Sequence, residues 1–313
     1  MCYSAQVEAD YKKFTREFGA SLSLKEFYDL YWRRRRNDKK VKIPKAIDLM
    51  FAESDDPEAA RIKMLIDDYA KVQATELEQE MFQQRKRLAD AERSLQIKTT
   101  KAATESQRIA GEKVETLVRK LGDLRRSELK ERDGRIFPGH YAPVMIVEGG
   151  RRVIKPMRYQ CRLAGKPAFY DIKYPGTYNA RRDNLEGFWK PLFGHTHGLM
   201  LANSFYENVS RTNADGALEN VVLQFKPTPP HTMLVACLWS QWTHTGEADL
   251  LSFAAITDEP PAEVAAAGHD RCIIPIKPEH IDAWLNPDAT GLADCYKILD
   301  DRDRPYYEHR LAA

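Results

Sequence analysis

Between about residues 55 and 132 this chain almost abandons glycine and proline. Ala, Glu, Lys, Gln and Arg dominate there, and apolar residues return at intervals of three, four and seven: Ile62, Leu65, Tyr69 and Val72, then Leu77, Met81, Leu88 and Leu95, and later Val114, Leu117, Leu121 and Leu124. A stripe that narrow on a 3.6-residue period specifies amphipathic helices and forbids strands. Lys98 to Gly111 carries a weaker stripe and is expected to turn the chain. The expectation is a helical hairpin or short coiled coil projecting from a body. The hairpin carries no chemistry of its own, and its stripe serves either self-packing or a partner.

The flanks have other textures. Residues 1–50 hold Leu24, Phe27, Tyr28, Leu30 and Tyr31 at helical spacing behind Ser21 and Ser23, either of which suits a helix cap. Trp32 then leads into Arg33 to Arg36, with Lys39, Lys40 and Lys42 close behind. This is either a phosphate-binding arm with an aromatic beside it or a solvated helix end whose cations suit the macrodipole. From Gly134 onward, short apolar or alternating runs read as strands at Tyr141–Val147, Val153–Arg158, Gly198–Tyr206, Val221–Phe225, Met233–Trp239 and Leu251–Thr257. Pro260–Ala267 and Pro278–Leu285 read as short helices with proline in the first turn. The division expected is 1–50, an N-terminal part of the body; 51–133, a helical insertion; and 134–313, the β-rich remainder. The fold class is α+β with a mainly antiparallel sheet.

A formal charge of +2 over 313 residues gives no bulk attraction to nucleic acid, so only local basic clusters can supply it. No apolar run approaches a membrane span, and no secretory leader is recognisable, so no membrane partner is expected. Cys2, Cys161, Cys237, Cys272 and Cys295 form no CxxC pair and no even framework. A reducing, cytoplasmic setting follows. Cys2 stands out by position. Methionine excision tolerates a small second residue, so a mature chain would begin with Cys2, offering an amine of pKa roughly 8 beside a thiol of pKa roughly 8.5. The amine can form an imine with an aldehyde, and the thiol can close on it as a thiazolidine. By position alone, the plainer reading is that Cys2 is inert.

Five further pieces accompany it in order: Tyr178-Asn179-Ala180-Arg181, Ser204-Phe205-Tyr206-Glu207, Phe253-Ala254-Ala255-Ile256-Thr257, Gly268-His269-Asp270-Arg271 and Trp284-Leu285. Taken singly, each is ordinary: Asn179 suits a turn after Pro175-Gly176, Glu207 a charged strand end, His269 a loop. Together with Met1-Cys2 they resemble the SOS response-associated peptidase (SRAP) family, over residues 135–290 plus the N-terminus. That resemblance implies covalent capture of abasic sites in single-stranded DNA by Cys2, exposed by autoproteolysis, with peptidase and abasic-site lyase chemistry in its compass. It also implies that Asn179 holds the terminus and that Glu207 and His269 handle protons. Arg181, with Arg158, Arg271, Tyr206, Arg33 and Arg34, would contact DNA. It calls for no cofactor and no metal, and places the protein in the cytoplasm of a bacterium or as a phage product. The hairpin would serve DNA, a replication or repair protein, or self-association.

The departures are specific. Tyr3-Ser4 stand where the family has Gly-Arg, Asn208 where it has Trp, and Cys272-Ile273 where it has Met-Pro. The bulk beside the nucleophile therefore rises, and one phosphate contact and one stacking surface are lost. The stretch from about 45 to 132 has no counterpart in compact members. Rival readings are an N-terminal-nucleophile amidotransferase, which needs a glutamine pocket, and a non-catalytic binding module on the same fold. His195 and His197 invite a metal reading, but no ligand partners stand at defined spacing. Arg271 beside Cys272 is a reason to expect a lowered thiol pKa there.

Overall fold

Two apolar clusters lie on opposite faces of one sheet that curls until it closes on itself. The computed structural model describes residues 3–52, 56–212 and 216–312. Strand β1 (Ser4–Val7) leads through α1 (Tyr11–Phe18) and β2 (Ser21–Leu22) into α2 (Leu24–Arg35) and α3 (Lys45–Leu49). Asp10 caps α1 by accepting from the Lys12 and Lys13 amides, and Gly19 closes it in the left-handed conformation that glycine adopts freely. Phe27 and Tyr31 place the apolar side of α2 in the larger cluster.

Helices α4 (Pro57–Ile97) and α5 (Lys101–Arg125) form the hairpin. At 1.5 Å per residue, α4 is about 60 Å long. Asp56 caps it ahead of Pro57, and Thr100 caps α5. The root is fixed by Ala59, Ile62 and Leu65 in the body's core. Farther out, shielded positions recur every seven residues, at Leu77, Gln84 and Ala91 on α4 and at Ala110, Leu117 and Leu124 on α5. The helices therefore pack on each other as an antiparallel two-stranded seam. The turn is shorter than the sequence suggests: only Lys98–Thr100 separates the helices, and α5 runs through Gly111. Nothing lies near enough to Gly111 to need its lack of a side chain, so its effect is a propensity cost alone.

The body follows: β3 (Arg135–Ile136), β4 (Tyr141–Glu148), β5 (Arg151–Tyr159), α6 (Tyr170–Lys173), β6 (Asn179–Arg181), β7 (His197–Thr212), β8 (Leu218–Thr228), β9 (Met233–Trp242) and β10 (Leu250–Asp258). After these come α7 (Ala262–Ala266), β11 (Cys272–Ile273), β12 (Pro275–Ile276), α8 (Ile281–Leu285), α9 (Leu292–Asp300) and β13 (Tyr306–Leu311). The fold is α+β, and most pairings are antiparallel. The β10–β5, β10–β6 and β2–β5 pairings are parallel.

Strands β9, β10, β5, β4 and β7 pair in succession, and β7 pairs back to β9, closing a five-stranded ring. The ring's interior takes Ala142, Val144, Met200, Ala202, Cys237 and Ala255, and its outer side takes α1 to α4, α8 and α9. Gly198 is required there. A side chain on it would meet Val144 Cγ1 at 3.0 Å and Cys237 Sγ at 3.2 Å. Outside, Trp284 of α8 is fully buried and donates from Nε1 to the Gly198 carbonyl at 3.0 Å.

Beyond Ala202, strand β7 leaves β9 and continues with β8 on one side and β1 on the other. Gln6 stands opposite Ser204 but Val7 opposite Ala202, so β7 carries one extra residue at this point. Such a bulge reverses which side chains face inward. Met200 and Ala202 face the inner cluster before it, and Phe205 and Val209 do so after it.

Candidate functional site

The same reversal turns Glu207 inward. In an unbroken strand, a residue five positions after Ala202 would point to the opposite face. With the bulge, Glu207 lies between Phe205 and Val209 on the inner side, and it is 1% exposed. The sequence reading has β7 ending near Tyr206 and Glu207 at its end; the strand runs on to Thr212 because β8 supplies a partner throughout.

His269 comes from the loop after α7. Gly268 turns with a φ of 96°, a region that favours glycine, and packs near Val209 of β7. His269 Nε2 then lies 3.1 Å from Glu207 Oε2. Its Nδ1 is 2.8 Å from the Arg271 carbonyl and 3.3 Å from the Arg271 amide. An Nε2 lone pair facing a carboxylate at 3.1 Å would be repelled, whereas an Nε2–H or a protonated carboxyl bonds across the gap, so one proton belongs in the His269–Glu207 contact. Burial holds the imidazole below its ordinary pKa, and the Arg271 carbonyl opposes that shift. A proton held between a buried carboxylate and an imidazole is suited to general acid–base work.

Asn179 reaches the same end of the sheet on β6, which runs parallel to β10: Asn179 is opposite Ala255, and Arg181 is opposite Thr257. Thr257 in turn pairs with Ile273, just past the His269 loop. Asn179 is 5% exposed, and the Tyr159 hydroxyl lies 3.5 Å from its Oδ1. Its Nδ2 is buried with no acceptor among the described residues. Leaving a buried donor unmet costs about 1–3 kcal/mol. That donor is available to a ligand or to the chain terminus.

Cys2 lies outside the described residues. The described chain starts at Tyr3, whose ring meets Tyr178 edge-on at 6.1 Å and Phe137 at 5.7 Å. Tyr178 in turn meets Tyr159 at 5.6 Å. Next to Tyr3, Ser4 stands opposite Tyr206, the neighbour of Glu207. The bulk introduced by Tyr3 is thus absorbed in an aromatic row leading to Asn179.

The expected DNA contacts fall into two groups. Arg181 is exposed and pairs with Asp183 at 2.7 Å. That hydrogen bond holds the Asp183 carboxyl below its ordinary range, with Arg271 adding to the effect, so these three groups share a net positive charge beside Asn179. The others are committed elsewhere. Arg158 pairs with Asp171 at 2.8 Å and donates to the Gln160 carbonyl. Arg33 pairs with Asp38 at 2.9 Å. Arg34 is buried against Asp48 between the rings of Tyr31 and Tyr69, each 4.7 Å away. Tyr206 is buried beneath Arg135, whose guanidinium lies 3.8 Å from the ring centre.

Sequence reasoning missed Arg135 and Gln224. Arg135 donates to Ser4 Oγ at 3.0 Å, and Gln224 donates to the Tyr206 hydroxyl at 3.0 Å and to Ser204 Oγ at 3.1 Å. Arg135 thereby fixes β1 against β7, and Gln224 fixes β8 against β7. Gln224 left a signal, an amide inside an apolar strand; Arg135, in a two-residue strand, left none.

The four described cysteines are buried. Burial pushes the Cys161 thiol up to about 12 and raises Cys272 as well, so Arg271 does not activate Cys272. His197 is structural: Nε2 accepts from the Gly194 amide at 2.8 Å, and Nδ1 lies 3.1 Å from the Trp284 carbonyl. Among the described residues, no three His, Cys, Asp or Glu side chains are placed to hold a metal ion, and no helix is long and apolar enough to cross a membrane.

The family model described as SOS response associated peptidase (SRAP) matches residues 91–310. The chain belongs to that family. The site residues on β6, β7 and the loop after α7 all lie within the match. The N-terminal 90 residues, including most of α4, lie outside it. SRAP membership is consistent with a DNA-repair-associated role. Curated proteins gave no match to the sequence. Among solved structures, a protein from Bordetella bronchiseptica is similar at 16% identity with a TM-score of 0.47, over 60% of this chain and 90% of that one. A protein from Bacteroides thetaiotaomicron is similar at 13% identity with a TM-score of 0.47, over 61% and 82%. A phage-related protein from Bordetella bronchiseptica is similar at 18% identity with a TM-score of 0.44, over 60% and 85%.

Proposed function

We propose that this SRAP protein captures abasic sites in single-stranded DNA covalently through Cys2, after hydrolysis of the Met1–Cys2 peptide bond. The observation that supports this most is the buried His269–Glu207 contact of 3.1 Å beside the strand that begins at Ser4 opposite Tyr206. That Ser4 pairs with Tyr206, the neighbour of Glu207 on β7, supports the reading that the leading residue acts at Glu207.

The chemistry then divides as follows. The terminal amine adds to the C1′ aldehyde, and the resulting carbinolamine loses its hydroxyl as water on receiving a proton from the His269–Glu207 pair. The thiolate adds to the iminium carbon, closing the ring, and the proton that left sulfur restores the His269–Glu207 pair, for a net loss of one water. The open Asn179 Nδ2 holds a lone pair of the terminus or the opened sugar. Arg181 and Arg271 meet the neighbouring phosphates.

Intact-mass measurement with an abasic oligonucleotide tests this. The expected product is the Met1-free protein plus the oligonucleotide less one water, and Cys2→Ala is expected to abolish it. Equal yield from Cys2→Ala, or ammonia release from glutamine by the wild type without any adduct, would defeat the proposal.

A further inference from the structure

Phe82 stands near the middle of the free length of α4 and is 72% exposed. Leu65 is the last α4 residue buried in the body's core, and Ile97, 89% exposed, ends the helix at the tip. At 1.5 Å per residue they lie about 25 Å and about 22 Å from Phe82. The hairpin's own seam is thin over this span. Past Leu65 it buries Ala91, Ala110, Leu117 and Leu121, and it leaves Gln84 Oε1 shielded with no donor among the described residues. One exposed ring needs no explanation by itself. The charges around it do.

From Ile66 to Met81 the chain carries Asp67, Asp68, Glu76, Glu78 and Glu80 against Lys71. From Gln83 to Lys98 it carries Arg85, Lys86, Arg87, Arg93 and Lys98 against Asp90 and Glu92. The change of sign falls at Phe82. None of Glu76, Glu78 and Glu80 has a base three or four positions away, the spacing at which pairs form along one helix. Glu78 reaches Arg125 of α5, whereas Glu80, Arg85 and Lys86 are exposed and make no ion pair among the described residues. A polyanion would be repelled along the root half of α4, and a uniformly basic partner along the tip half. A matching surface carries the same two runs in reverse order, and a second copy of α4 laid antiparallel does so. Reflection about Phe82 sets position 78 level with 86, 76 with 88 and 67 with 97.

We propose that the hairpin is a homodimerisation arm in which two α4 helices cross antiparallel at Phe82 on a twofold axis. Phe82 packs on its own copy at the axis, and Glu76, Glu78 and Glu80 lie along Arg85, Lys86 and Arg87 of the second copy. Because Phe82 is nearly midway along the free span, each tip ends beside the other root. Ile97 is thereby brought to the concave surface of roughly 780 Å³ there, which presents Ile43, Leu49, Ile66 and Tyr69. The two Leu65 anchors stand about 50 Å apart along the helices. This assembly is independent of the capture reaction proposed above.

Sedimentation velocity of the full chain over a series of protein and salt concentrations tests it, with circular dichroism to verify that each variant keeps its helices. The wild type should sediment as a dimer that weakens at high salt. Phe82→Ser should raise the dimer dissociation constant by about 30-fold or more. Glu76→Lys/Glu78→Lys/Glu80→Lys and Arg85→Glu/Lys86→Glu/Arg87→Glu should each be monomeric, and an equimolar mixture of the two should recover the dimer. A wild type that is monomeric throughout would give this face to some other partner and overturn the proposal. Dimers indifferent to these substitutions, or charge-reversed variants that fail to pair when mixed, would overturn it as well. Cys2→Ala should dimerise as the wild type does, so loss of its adduct reports on the capture reaction alone.

Discussion

Gln160 has a φ of 126°, a conformation that side-chain-bearing residues seldom adopt. It is held there from three sides. Its amide donates to the Phe253 carbonyl at 3.1 Å, its Nε2 donates to the Asp171 carbonyl at 2.8 Å, and its own carbonyl accepts from Arg158 at 3.1 Å. Such a backbone costs about 1–3 kcal/mol. Gln160→Gly would relieve the strain while losing the side-chain bond, whereas Gln160→Ala would lose the bond and keep the strain. Urea denaturation should therefore rank Gly above Ala by about 1–3 kcal/mol; the reverse order would show that the backbone is relaxed. Nothing in the sequence announces this strain. Glu207 is a parallel case: the motif order flags the residue, but its inward direction depends on a bulge opposite β1, and β1 lies two hundred residues away in the chain.

At the scale of elements, long periodic segments and the proline-led helices α7 and α8 are readable, and most other short elements are not. The hairpin follows from heptads, and the six long strands from alternating apolar runs. The missed elements are β1, α1, α3, α6, α9 and β13, together with the two- and three-residue strands β2, β3, β6, β11 and β12. Of these, β1 has four residues, and β13 has a mostly exposed pattern that only pairing with β8 makes a strand. Arg34 reads as part of a surface arm because Tyr69, which closes over it, comes from the hairpin. The hairpin's seam is also testable as an element. Leu117 is 3% exposed between α4 and α5, and Leu117→Ala should cost about 2–5 kcal/mol of local stability. Hydrogen exchange should speed in α5 amides while those of β4, β7 and β9 keep their protection. Uniform acceleration throughout would mean that hairpin and barrel open as one unit.

At the scale of the whole molecule, His197 links the helical layer to the barrel, and its protonation should set the acid limit of stability. The Gly194 amide already points at Nε2, so a proton there would set two donors against each other, and burial pushes the imidazole down to about 3. An unfolded histidine takes up its proton near 6.5. The unfolded state therefore binds more protons than the folded state between those values. The contribution of neutral His197 is complete above 6.5 and is lost as pH falls toward 3. By pH 5 the loss should be about 2 kcal/mol. Chemical denaturation of wild type and His197→Gln at pH 7 and pH 5 should show the gap between them narrowing by that amount; a constant gap would place the acid sensitivity elsewhere. The pairing of β1 has a consequence for biosynthesis. Its partners are Arg135, Ile136 and residues 202–206, so on the ribosome the first strand cannot complete its pairing until most of the polypeptide has emerged. At roughly 5–20 residues per second, that leaves the leading segment unsheltered for on the order of ten to forty seconds, a window in which enzymes that trim nascent chains reach it before the barrel closes.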